Sequence, residues 1–203
     1  MYHSDRYPTS LAEAEAFVAT QRHGYLIATP PGAHPQVSIL PFVKQGDNIE
    51  LHCVQEDPTF AAVRANPLVT FFVADFLAFS RHDWVDPNDG ARATLNFRAV
   101  AYHCRAETST APSDVAAALA RLLAAYEPGA TYEPIANGDF YGPRIERLAA
   151  VYLHVLSTDA KFKVGPAGSA AVKRQVVAGL RERNEPGDAR AADEIAATLL
   201  NER

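Results

Sequence analysis

In the run NIELHCV (48–54), Ile49, Leu51 and Cys53 alternate with Glu50, His52 and Val54. On an extended chain that spacing puts the first three on one face and predicts a half-buried strand. Two similar β-rich runs precede it, YLIATP (25–30) and PQVSILPFV (35–43), divided by the turn-forming stretches PGAH and KQGDN. Further along, LVTFFVADFLAF (68–79) and ATLNFRAVAYHCRAE (93–107) are the longest candidates, and AAVYLHVLST (149–158) is the sixth. Six strands with few, peripheral helices between them fit an antiparallel barrel, closed or nearly so, better than alternating βαβ units. Leu40 and Phe97 are expected on core faces of this sheet.

The helices are marked by their ends. Ser10 and Glu13 have capping-box spacing ahead of the stripe Leu11, Ala14, Phe17 and Val18, and Gly24 can end that helix. Asp57 is the expected N-cap of a short helix, with Pro58 at its first position and Asn66-Pro67 as its stop. Helical spacing recurs at 113–126, and a short helix is expected from about 142, after the irregular loop 127–143. Two helices close the sequence, with Val172, Val176 and Leu180 inward on the first and Ala192, Ile195, Ala196 and Leu199 inward on the second. The expected division is a barrel domain over 1–166 and a helical appendage over 167–203, packing on the barrel or on a dimer partner.

With 48% hydrophobic and 21% charged residues, the 203-residue chain has material for a sizeable core. A net charge of −5 gives no global attraction to nucleic acid or an anionic membrane. No apolar run approaches a membrane span, and the start MYHSDRYPTS has no signal layout, so a cytoplasmic protein is expected. Cys53 and Cys104 could form one disulfide, but in a cytosol they read as reduced core thiols. His52 and His103 each stand beside a cysteine. Strand neighbours face opposite ways, so neither pair is expected to chelate a metal.

No generic catalytic motif is present: there is no G-x-S-x-G, P-loop, H-E-x-x-H or G-x-G-x-x-G. What stands out is DAKFKVGPAG (159–168), where Lys161 and Lys163 share one strand face and Phe162 takes the other. Such a pair is either solvated, guarding a sheet edge, or aimed at an anion.

The pieces MY at the start, SILPF (38–42), LHCVQEDP (51–58), ATLNFRAVAYHCRAE (93–107) and KFKV (161–164) occur in a fixed order over nearly the whole chain. That order resembles the PaiB-type family of FMN-binding negative transcriptional regulators. The resemblance implies a six-stranded antiparallel split β-barrel with peripheral helices, assembled as a homodimer. The family's T-H-L-P-F motif survives here as Leu40, Pro41 and Phe42, preceded by Ser38 and Ile39. Its H-[LV]-A-R-A-N-P segment keeps His52 and Pro58, with Gln55 where the family has Arg and Asp57 where it has Asn. Thr94 and Asn96 remain from P-T-W-N-Y, with Leu95 replacing Trp. Lys161, Phe162 and Lys163 remain from K-F-K-L-S-Q-N, whose polar end has become Gly165-Pro166-Ala167. Trp84 matches a Trp of the family's loop before that strand, within an inserted context.

The resemblance thus implies FMN as cofactor and Ser38, Ile39, Leu40, Pro41, His52, Gln55, Thr94, Asn96, Lys161 and Lys163 as its binding residues. Phe42, Phe97 and Phe162 are candidate walls for the ring. Losing Arg at position 55 removes a bidentate phosphate donor, and Asp57 would repel a phosphate it faced. Three roles are therefore expected to compete: a flavin-dependent regulator or reductase-like homodimer, a barrel that has exchanged FMN for another small ligand or an interaction role, and a direct DNA-binding repressor. For the last, residues 160–183 carry Lys161, Lys163, Lys173, Arg174, Arg181 and Arg183 against Glu182.

Overall fold

The structure, a computed structural model, describes Met1 and residues 5–200. Tyr2 of the opening MY, and positions 201–203 of the expected last helix, lie outside the described residues. The helices are α1 (Leu11–Ala19), α2 (Pro58–Ala65), α3 (Pro112–Tyr126), α4 (Gly142–Ile145), α5 (Ala170–Arg183) and α6 (Asp188–Leu200). The strands are β1 (Gly24–Ala28), β2 (Gln36–Leu40), β3 (Val43–Gln45), β4 (Asn48–Val54), β5 (Leu68–Ser80), β6 (Thr94–Ser109) and β7 (Leu148–Lys163).

The seven strands form one sheet in the order β2-β1-β5-β6-β7-β4-β3, antiparallel at β1–β2, β1–β5, β3–β4 and β4–β7. The expected six-stranded barrel is corrected in two respects: among the described residues there are seven strands, and their sheet is not closed, its ends being β2 and β3. The extra strand has a physical cause. Pro41 has no N–H for a ladder, so the expected strand 35–43 breaks there. The backbone of Phe42 turns to Tyr126 instead, whose hydroxyl lies 3.1 Å from the Phe42 nitrogen and 3.0 Å from its oxygen.

The helix ends fold as their residues dictate. The Ser10 backbone N–H donates to Glu13 Oε2 at 2.8 Å and the Glu13 N–H to Ser10 Oγ at 3.2 Å, a complete capping box. Asp57 Oδ1 accepts from the Thr59 N–H at 2.8 Å and caps α2.

The chain divides into two compact units, with β5, β6 and β7 contributing residues to both. The larger comprises Glu15–Val73 and Ala101–Asp159. Its core holds Leu26, Ile49, Leu51, Phe71, Tyr102 and Leu153, all fully buried, and β4 buries the expected face of Ile49, Leu51 and Cys53. The Tyr102 hydroxyl donates to Glu15 Oε1 at 3.0 Å, and Lys44 bridges to Glu15 Oε2 at 2.6 Å. Leu40 is only half-buried, because β2 is an edge strand whose faces are both partly open. Burial pushes the Cys53 thiol up to about 12 and the Cys104 thiol up to about 11, and both are free, buried cysteines.

The smaller unit comprises the described residues of Met1–Ala14, Ala74–Val100 and Ala160–Arg203. Here α5 and α6 bury Val176, Val177, Leu180, Ala191, Ala192 and Ile195 against Leu77 and Ala78 of β5, with Trp84 packed alongside. Phe97 is half-buried, and it is Asn96 that takes the buried position, so the expected phase of this stretch is corrected by one residue. The reason is a polar partner set for Asn96, described below, that outweighs the apolar pattern.

Asp188, 1% exposed, accepts from Arg183 Nε at 2.8 Å and from the Glu185 N–H at 2.9 Å, and Arg183 lies 5.0 Å over the Trp84 ring. The Arg183 hydrogen bond holds the Asp188 carboxyl below the usual range. A depressed folded-state pKa contributes stability that is present above about pH 4 and is lost as pH falls through the lower folded value. Asp188→Asn should therefore cost about 2 kcal/mol at neutral pH and progressively less below pH 4, read by urea melts across that range. An equal loss at every pH would contradict this assignment.

Candidate functional site

The expected binding residues fall into two groups. In the smaller unit are Thr94, Asn96, Lys161 and Lys163. The last two sit at the end of β7, half-buried and two residues apart, so they share a strand face. Burial, and then the charge of Lys161, lower the pKa of Lys163. The charge of Lys161 beside it disfavours the ammonium form of Lys163, a cost that a nearby anion would offset. Thr94 Oγ1 is buried and has no hydrogen-bond partner among the described residues. Asn96 is spent internally: it donates to Ala78 O at 3.1 Å and Ser80 Oγ at 2.7 Å, and accepts from the Gly165 N–H at 2.8 Å. That last bond fixes the turn after β7, where Gly165 has φ 78° and both Gly165 and Pro166 are buried. The three positions that replace a polar segment of the resembled family are thus a structural turn.

In the larger unit are Ser38, Ile39, Leu40, Pro41, His52 and Gln55. The Ser38 hydroxyl donates to Asp57 Oδ2 at 2.7 Å and lies 2.8 Å from Thr59 Oγ1. Gln55 Nε2 donates to Glu146 O and Leu148 O, both at 2.9 Å, and so ties the end of β4 to the start of β7. Ile39 is exposed on the edge strand, and Pro41 is half-buried beside the Phe42–Tyr126 junction. His52 is half-buried, and burial lowers its pKa, favouring the neutral ring. Phe42 is buried in the core, edge-on to Phe71 at 5.1 Å; Phe97 and Phe162 are half-buried.

Tested against FMN, these groups answer differently. The lysine pair and the unsatisfied Thr94 hydroxyl fit an anionic, hydrogen-bonding ligand. Ser38, Gln55 and Asp57 are engaged with protein partners. The partners of Gln55 were not readable from the sequence, since Glu146 and Leu148 carry no local signal of those contacts.

Among solved structures, the FAD and heme binding protein from Mycobacterium smegmatis is similar over 86% of this chain and 80% of its own, at 17% identity and a TM-score of 0.64. The flavocytochrome Anf3 from Azotobacter vinelandii is similar over 84% and 80%, at 17% identity and a TM-score of 0.60. A protein from Bacteroides thetaiotaomicron described as a putative 5-nitroimidazole antibiotic resistance protein covers 76% and 85%, at 12% identity and a TM-score of 0.58. These likenesses define the fold: a mainly β, antiparallel split-barrel sheet with helices. No curated protein matches the sequence. The family model described as "Putative FMN-binding domain" matches residues 1–155, and the chain belongs to that family. The match ends before Lys161 and Lys163.

Proposed function

We propose that this chain is an FMN-binding flavoprotein of the PaiB-like type, working as a homodimer, in which Lys161 and Lys163 meet the cofactor's phosphate or the reduced edge of its ring. The observation that carries the reading is the half-buried lysine pair, with Lys163 depressed by burial and by Lys161. Bound FMN supplies hydride or electron transfer, and the protein supplies placement and electrostatics. A pair of cations beside the flavin favours its reduced, anionic form, which suits a reductase-like role.

Direct DNA binding has less support than the sequence patch suggests. Arg181 pairs with Asp193 at 3.1 Å and Arg183 with the buried Asp188, so part of the basic surface is neutralised from α6. A barrel that has exchanged FMN for another ligand is favoured by one observation, the engagement of Ser38 and Gln55 by protein partners. The absorption spectrum of the purified protein separates these readings.

The dimer is supported by exposed apolar side chains on the larger unit's strands: Val37 (55% exposed) and Ile39 (62%) on β2, with Leu68 and Leu156. Sedimentation equilibrium at micromolar concentration should return twice the chain mass. A single chain mass there would remove the dimer from the proposal.

A further inference from the structure

In the larger unit, Val54 at the end of β4 faces a concavity of about 630 Å³ whose other walls are Phe140, Pro143, Arg144, Arg147 and Leu148. None of the flavin candidates lines it. We propose that this concavity is a second small-molecule site, selective for an aromatic carboxylate.

The scaffold comes first. Ile145 is buried among Val115, Ala116, Ala118 and Ala150, which pins α4 and leaves Pro143, Arg144 and Arg147 at the surface. The turn continues past α4 through Arg147 N to Arg144 O at 3.1 Å. Gln55, bonded to Glu146 O and Leu148 O, holds the floor together. The volume falls within the range of ligand clefts, roughly 300–1,000 Å³.

The lining sets the chemistry. Phe140 (60% exposed) and Val54 (43%) are apolar surfaces open to water that an aromatic ring would cover. The Arg144 guanidinium lies 5.2 Å from the Phe140 ring centroid, and its Nη1 donates to Phe140 O at 2.9 Å, so its plane is already oriented. Arg144 has no carboxylate partner among the described residues. Arg147 has only Glu56, at 3.8 Å, with side chains 71% and 65% exposed, a pairing that contributes little. Two arginines against one loosely held carboxylate, beside an apolar wall, match an anion carried on a ring: the guanidiniums take the carboxylate and the wall takes the ring. A small inorganic anion would leave the wall uncovered, and a neutral ring would leave the arginines unused.

The inference stands independently of the flavin reading. The test is calorimetric titration of the full chain with 2-naphthoate, 2-naphthol and inorganic phosphate, repeated on Arg144→Gln, Arg147→Gln and the control Lys173→Gln. Naphthoate should bind wild type and the control alike, and at least tenfold tighter than naphthol or phosphate. Each arginine variant should lose roughly ten- to a hundredfold in affinity, the range of a charge-assisted contact. The two arginines are exposed and outside the core, and far-UV circular dichroism confirms that the variants fold. Equal naphthoate affinity for wild type and both arginine variants would overturn the inference, as would no binding at about 10 mM. Mole-for-mole displacement of naphthoate by FMN would overturn it as a separate site.

Discussion

Gly187→Ala should unfold the smaller unit more readily than any surface change, at a loss on the order of 3 kcal/mol or more. Gly187 sits at φ 92°, in the region where side chains are strained, and a Cβ there would overlap the Leu77 carbonyl oxygen. That oxygen belongs to the backbone of β5 and cannot swing aside, so α6 would have to lift from the strand. With it would go the buried cluster of Ile195, Ala191 and Leu77, and the Arg183–Asp188 pair one residue beyond the turn. Gly129, equally at positive φ (83°) but with open space where its Cβ would go, is the matched control. Chemical denaturation of the two alanine variants decides it: a Gly187→Ala loss no larger than that of Gly129→Ala would mean that the α5–α6 turn does not press on β5 as described.

The second large effect belongs to the lysine pair. Lys161→Ala and Lys163→Ala should each weaken FMN binding by roughly ten- to a hundredfold, the worth of a charge-assisted contact to a partly buried anion. Lys173→Ala, on α5, should change it only slightly and through a long-range field that salt screens. The pair also acts jointly: removing one ammonium relieves the repulsion felt by the other, so the double variant should lose less than the sum of the singles. Fluorescence titration of FMN at two salt concentrations reads all of this. Lysine variants indistinguishable from Lys173→Ala would leave the cofactor in the protein but remove it from the end of β7.

How much of this was legible in the sequence depended on how far away each residue's partner lies. The Ser10–Glu13 box and the Asp57–Pro58 start are settled within one helical turn, and both were readable. The buried face of β4 was readable too, because Ile49, Leu51 and Cys53 keep strict alternation. The break at Pro41 was harder: proline marked it, but the group that receives the Phe42 backbone is Tyr126, from α3. In β6 the pattern misled. Four consecutive residues, Ala99 to Tyr102, are buried, so the strand has no single period from which the phase at Asn96 and Phe97 could be read. Spacing alone put Lys161 and Lys163 on one strand face, and their expected part in a cofactor site came only from the family resemblance. The engagement of Ser38 and Gln55 was not readable, since Gln55 reaches carbonyls more than 90 residues along the chain.

Whether this chain holds FMN is decided by the visible absorption spectrum of the protein, purified without added cofactor and then titrated with FMN. Flavin bands are expected in the purified protein, or their appearance with saturable binding below about 100 μM, an affinity of roughly 5–6 kcal/mol. A colourless protein that takes up no FMN in that range would contradict the claim for this chain, whatever the rest of its family binds.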